Sequence, residues 1–152
     1  MGKLNDKVVV VTGSVSAIPG YDSIGSATVR EALAEGAAGV VISDINDELG
    51  EAFAKSLNEQ YGTGRALYVH TDVREPKDVE KLFAITEKTY GRVDAVMANA
   101  GVATAEDFDK DPEAVLKSRK FIQSANEDGV FHTALYGSRL MIKHGTKGSI
   151  VL

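Results

Sequence analysis

A chain of 152 residues, 43% hydrophobic and 26% charged, has the composition of a globular protein with one buried core, and a single domain is expected. The net charge of −5, without a run of Lys or Arg, argues against nucleic-acid and anionic-membrane partners, which require clustered positive charge. The absence of cysteine excludes disulfides and thiolate metal sites, and no apolar stretch is long enough to span a bilayer. The first residues, Met1-Gly2-Lys3-Leu4-Asn5-Asp6, carry neither a signal-peptide core nor a myristoylation pattern, so a cytoplasmic protein is expected.

Apolar runs alternate with helix-period segments along the chain. Residues 7–12 (KVVVVT) are β-branched and apolar on both faces, the pattern of a buried parallel strand. Residues 24–35 predict a helix closed by Gly36, and residues 39–44 (GVVISD) a second buried strand. An amphipathic helix follows over 46–61, with Leu49, Phe53 and Leu57 on one face. Residues 66–71 predict a third strand. Residues 77–90 predict a helix opened by Pro76, with Val79, Leu82, Phe83 and Thr86 facing inward. Residues 93–98 predict a fourth strand. After a polar loop, Asp111-Pro112 opens a long helical region to about Lys143, and a fifth strand begins at Ser149. This β-α-β alternation predicts an α/β fold, a mostly parallel five-stranded sheet with helices on both faces.

Chemistry-bearing residues gather at the predicted C-terminal strand ends, the edge where open α/β sheets bind ligands. Thr12-Gly13 closes the first strand, and Ser23-Ile24-Gly25-Ser26-Ala27 opens the first helix. Glycine there lets the backbone approach a pyrophosphate at a helix N-terminus. Asp44 ends the second strand, where a carboxylate can take ribose hydroxyls; its other reading is the N-cap of the following helix. Asp72-Val73 follows the third strand and Asn99-Ala100-Gly101 the fourth. Four polar decorations on one edge point to one binding groove.

This combination resembles the short-chain dehydrogenase/reductase family along the whole chain from Lys7 to Leu152. The resemblance implies a Rossmann-like three-layer sandwich with strand order 3-2-1-4-5. It implies that Gly13, Ser23, Ile24 and Gly25 form the phosphate turn, that Asp44 takes the ribose hydroxyls, and that Asp72, beside Val73, takes the adenine amine. Asn99, Ala100 and Gly101 then line the cofactor. Asn126 matches the asparagine that helps to organise the family's proton relay; a kink or polar face in the long helix is the other reading. NAD is expected rather than NADP, because Ser43-Asp44-Ile45-Asn46-Asp47 and Ser14-Val15 offer no cation for a 2′-phosphate and Asp44 would repel it.

Two features depart from the family pattern. The usual glycine turn has three residues between its first two glycines; here nine separate Gly13 from Ser23, and Ser23 replaces the middle glycine. A rival register through Ala17-Ile18-Pro19 puts proline where the last glycine belongs, whereas the first keeps the family spacing from Gly25 to Glu35-Gly36-Ala37. The Ser23 hydroxyl can donate to a phosphate in place of a closely approaching backbone. The family's catalytic serine and Tyr-x-x-x-Lys pair also have no counterpart: Tyr136, for example, is followed at four residues by Leu140. The chain is therefore expected to stop before them.

The resulting function is NAD-linked hydride transfer between a small alcohol and a ketone, represented by its cofactor-binding half. A catalytically inactive nucleotide-binding or protein-interaction module is the alternative. A Rossmann-like methyltransferase shares the glycine turn and the acid after strand two, but not Asp72-Val73 or Asn99-Ala100-Gly101. His70, His132 and His144 are too widely spaced for a metal motif; His70 is read as structural and the other two as helix-surface residues. Apolar Phe121, Ile122, Phe131 and Leu135 on the long helix predict a homo-oligomer.

Overall fold

The computed structural model describes residues 2–15, 22–103, 109 and 111–152. Residues 16–21, which include the rival register at Ala17-Ile18-Pro19, lie outside the described residues. The elements run β1 (Val8–Thr12), α1 (Ile24–Ala34), β2 (Gly39–Asp44), α2 (Asp47–Tyr61), β3 (Ala66–His70), α3 (Pro76–Tyr90) and β4 (Ala95–Met97). They continue with α4 (Pro112–Gln123), a π-helical turn (Ser124–Asp128), α5 (Gly129–His144) and β5 (Ser149–Val151).

All five strands are parallel, in the order β3-β2-β1-β4-β5. The central strands are buried between two helical layers, which explains why β1 and β2 are apolar at nearly every position instead of alternating, whereas β5 at the edge stays exposed at Ser149 and Val151. Val9, Val11, Val40 and Ile42 face α1 and α2, where Val29, Leu33 and Leu57 complete one half of the core. Val10, Val41, Val69 and Val96 face the other way, against Val79, Leu82 and Phe83 of α3 and Leu140 and Met141 of α5.

Strand and helix ends shift from the predicted bounds where side chains replace backbone partners. Beyond β4, the Asn99 and Ala100 amides both donate to Thr12 Oγ1, at 3.1 Å each, so the ladder gives way to a side-chain clamp. Asn46, not Asp44, caps α2: its Oδ1 accepts the Leu49 amide at 3.1 Å. Leu49 does not join the buried face; it is exposed, and Gly50, Ala54 and Leu57 face inward. Asp111 precedes α4 without a side-chain cap bond. The long helix is interrupted, since the π turn inserts an extra residue per turn at 124–128 and re-aims the chain before α5.

Asp94 stands at the bottom edge of β4 and is almost fully buried. It accepts the Val8 amide at 3.0 Å and Arg92 Nε at 2.9 Å, with Lys7 at 3.4 Å. Burial pushes this carboxyl up, but Arg92, the Val8 amide and Lys7 together outweigh it and hold it below the ordinary value.

Among the described residues, no helix is long and apolar enough to cross a membrane, and no group of three His, Cys, Asp or Glu side chains is arranged to hold a metal.

Candidate functional site

The C-terminal ends of β1 to β4 open onto a cleft of about 430 Å³. Gly13, Ser23, Ile24, Asp44, Asp72, Val73, Asn99, Ala100 and Gly101 all line it. The topology brings them together: β1 lies between β2 and β4, so connections leaving on opposite sides of the sheet part at this point and leave a crevice. A second cavity, of about 630 Å³, lies against α1, β1 and β4 and is lined mainly by apolar residues such as Leu4, Val9, Ala27 and Met97. The edge cleft is the stronger candidate because polar groups converge there.

Gly25 lies beneath the cleft wall rather than in its lining. A Cβ there would stand 2.3 Å from the Gly13 carbonyl and 2.8 Å from Asn99 Nδ2, so only glycine lets α1 approach the β1 turn this closely. Asn99 completes the joint by donating to the carbonyls of Thr12 and Gly13, at 3.0 and 2.8 Å. Ser14 is buried below; its hydroxyl bonds the Val11 carbonyl and accepts the Ser43 amide at 3.0 Å, tying the ends of β1 and β2 together.

Ser23 caps α1, its Oγ accepting the Ser26 amide at 3.1 Å. The hydroxyl also donates to Ser26 Oγ at 3.3 Å, a long bond that it can exchange for a phosphate oxygen while keeping the cap. Asp44 accepts the Val15 amide at 3.1 Å and the Asn46 amide at 3.2 Å, one on each carboxylate oxygen. Each oxygen keeps a second acceptor site.

Val15 and Ile45, which flank the ribose position in the sequence, also line the cleft, and sequence reasoning missed four further lining residues: Thr71, Arg74, Val102 and Ala125. Arg74 changes the electrostatics most. Its Nε lies 2.9 and 3.1 Å from the two oxygens of Asp72, whose carboxyl it holds below the ordinary range. The guanidinium also lies over the Phe121 ring, 5.0 Å from its centroid. The cation beside the cleft is thus neutralised by Asp72, and among the described residues no cation pairs with Asp44.

Asn126 lies in the π turn, outside the lining, while its neighbour Ala125 contributes to it. The Asn126 carboxamide accepts the Val102 amide at 2.8 Å and donates to the Val102 carbonyl at 2.9 Å, beside Gly101. His70 is bonded to Asp47 at the surface, and His132 Nδ1 lies 2.9 Å from the Val73 carbonyl. His144 lies 2.6 Å from Glu87.

A parallel α/β sheet with a glycine joint, an acid ending β2 and an amide clamp after β4 is a dinucleotide-binding architecture. Comparison narrows the class. The short chain dehydrogenase profile matches residues 7–152. Tropinone reductase-like 1 from Erythroxylum coca is 35% identical over 98% of this chain and 50% of its own length. A 2,5-dichloro-2,5-cyclohexadiene-1,4-diol dehydrogenase from Sphingobium indicum is 37% identical over 99% of this chain and 55% of its own. Among solved structures, a short-chain type dehydrogenase/reductase from Mycobacterium marinum superposes with a TM-score of 0.84 at 25% identity, covering 97% of this chain and 55% of that one. Sorbitol-6-phosphate 2-dehydrogenase from Erwinia amylovora gives 0.78 at 30% identity, covering 94% and 52%. The chain belongs to the short-chain dehydrogenase/reductase family, whose members bind nicotinamide dinucleotides. It spans about half the length of these two relatives.

Proposed function

We propose that this chain forms the cofactor-binding half of an NAD-linked oxidoreductase that interconverts a small alcohol and a ketone. The observation that carries the NAD assignment is the charge of the cleft: Asp44 faces it with no cationic partner among the described residues, and Arg74 is already neutralised by Asp72. A ribose 2′-hydroxyl can donate to Asp44, whereas a 2′-phosphate would meet like charge and no free cation among the lining residues. The relatives named for a reductase and for diol and sugar-phosphate dehydrogenation support alcohol–ketone chemistry.

In this reading the Gly13–Gly25 joint and the first turn of α1 hold the pyrophosphate, with Ser23 donating to it. Asp72 and Val73 frame the adenine. Asn99, Ala100 and Gly101 line the path to the nicotinamide, which exchanges a hydride with the alcohol carbon when bound. Asn126 fixes the Gly101-Val102 segment beside that end. Fluorescence titration with NADH tests the reading, with S-adenosylmethionine as the competitor ligand; saturable NADH binding supports it, and binding of S-adenosylmethionine alone contradicts it.

One observation favours a second, non-catalytic reading for the chain by itself. No Tyr, Lys or His is among the described residues lining the cleft, and its two carboxylates, Asp44 and Asp72, are assigned to the cofactor, which leaves no lining side chain for the alcohol proton. NADH binding without alcohol oxidation supports this reading, and turnover by the chain contradicts it. Homo-oligomerisation through α4 and α5 also forms part of the proposal, supported by Phe121, Phe131 and Leu135, which stay 40%, 64% and 39% exposed, with Ile122 half-buried beside them. Sedimentation velocity of the chain tests it.

A further inference from the structure

Beside the cleft, outside its lining, Tyr68, His70 and Asp47 form a cluster on the α2 face of the sheet. Tyr68 and His70 lie on β3, in register with Ile42 and Asp44 of β2. The Tyr68 hydroxyl lies 2.7 Å from Asp47 Oδ1 and 2.9 Å from the Asp44 carbonyl, so one proton is shared between the two ends of the turn 44–47. His70 Nδ1–H donates to the same Asp47 oxygen at 2.7 Å. The Tyr68 ring fills the space that a side chain at position 50 would take: a Cβ on Gly50 would stand 2.1 Å from Tyr68 Cε2. Burial and the neighbouring Asp47 carboxylate both push the Tyr68 hydroxyl up from its ordinary value, so it stays protonated and remains a donor.

The turn held in this way carries two cleft-lining side chains, Asp44 and Ile45, and neither belongs to the core: Ile45 is 62% exposed. The β2–β3 ladder holds the backbone at Asp44, whose carbonyl also accepts the Thr71 amide at 2.9 Å, but packing does not fix the two side chains or the turn that follows. A phenylalanine at position 68 would fill the same space, so the hydroxyl has a role beyond packing, and its two partners are the ends of this turn.

We propose that Tyr68, supported by Asp47 and His70, is a positioning residue that fixes the Asp44 turn and so sets discrimination between a ribose 2′-hydroxyl and a 2′-phosphate. This rests on the assignment of Asp44 to the ribose, but the positioning has consequences in the free protein as well. The Asp44 carboxylate holds the amides of Val15 and Asn46, and these report its placement without any ligand.

Two measurements on Tyr68→Phe test the proposal. Amide hydrogen exchange at Val15 and Asn46 is expected to quicken by about three- to tenfold, the loss of one net hydrogen bond, while Val10 and Val41 in the central strands keep the wild-type rate. The ratio of the NADPH to the NADH dissociation constant is expected to fall by a similar factor, whereas a merely structural loss would weaken both ligands equally and leave the ratio unchanged. Gly50→Ala, which displaces the ring by another route, is expected to shift the same ratio; Tyr90→Phe, whose hydroxyl donates to the Gly64 carbonyl away from the cleft, is not. Wild-type exchange rates at Val15 and Asn46 in Tyr68→Phe overturn the positioning role. An unchanged ratio with quickened exchange overturns the selectivity role. Absence of an NADH preference in the unsubstituted chain instead refutes the ribose assignment, and exchange alone then decides the positioning.

Discussion

Asn126 and Val102 exchange two hydrogen bonds, the side-chain amide of one standing in for a neighbouring strand against the backbone of the other, at 2.8 and 2.9 Å. The pair joins the π turn to the segment that leaves β4, and Gly101 sits against it with room for nothing larger than a tightly fitting Cβ, 3.2 Å from Asn126 Oδ1. Asn126→Ala removes both bonds, and because the site is exposed the expected loss is about 0.5–1.5 kcal/mol. Asn126→Asp keeps the acceptor for the Val102 amide but sets a carboxylate against the Val102 carbonyl, and is expected to be no more stable than the alanine variant. Urea unfolding midpoints of the three proteins check this ordering.

The joint between β1 and α1 is less forgiving. Gly25→Ala forces a methyl group into the Gly13 carbonyl and the Asn99 carboxamide, and the backbone must part to admit it. A destabilisation of about 1–3 kcal/mol is expected, with loss of NADH binding at concentrations that saturate the parent chain. Ser23→Ala makes the contrast. Loss of the cap costs about 1 kcal/mol, and binding weakens without being abolished. Paired unfolding and titration experiments separate the two.

Asp94 predicts a pH dependence. Its folded carboxyl is held below the ordinary value of 3.8, so the unfolded chain binds the proton more readily. The stabilisation is complete above the ordinary value and is lost as pH falls toward the lower, folded one. Asp94→Asn is therefore expected to be less stable than the parent by about 1–2 kcal/mol near pH 7, and the gap is expected to narrow as pH falls below the ordinary carboxyl value of 3.8. The exposed ends of Arg92 and Lys7 can return to water, which keeps the cost at the low end for a buried ion pair. Urea midpoints across this range provide the check, and a gap independent of pH would contradict the assignment.

Much of this architecture is legible from residue order. The runs of Val in β1 and β2 announce strands buried on both faces, and Val79, Leu82, Phe83 and Thr86 mark the inner side of α3 as observed. The four motif positions at strand ends converge on one cleft because parallel β-α-β connections leave that edge open. What periodicity hides is competition between partners. Leu49 has the spacing of a core residue, yet Gly50 takes the inner position because the Tyr68 ring occupies the space beside it. The π turn is hinted at only by the kink reading of Asn126, since Ser124-Ala125-Asn126-Glu127-Asp128 continues a helical pattern without Pro or Gly. Arg74 escapes notice because its partner is only two residues away, and sequence alone does not show that the pair bonds beside the cleft.

The NAD assignment rests on the Asp44 carboxylate at the end of β2, and one comparison tests it most directly: dissociation constants for NADH and NADPH, measured side by side on this chain and on Asp44→Ala. The parent is expected to bind NADH at least about tenfold more tightly than NADPH, and the variant to lose most of that preference by gaining NADPH affinity. Equal affinities in the parent, or a preference that survives the removal of Asp44, would contradict it.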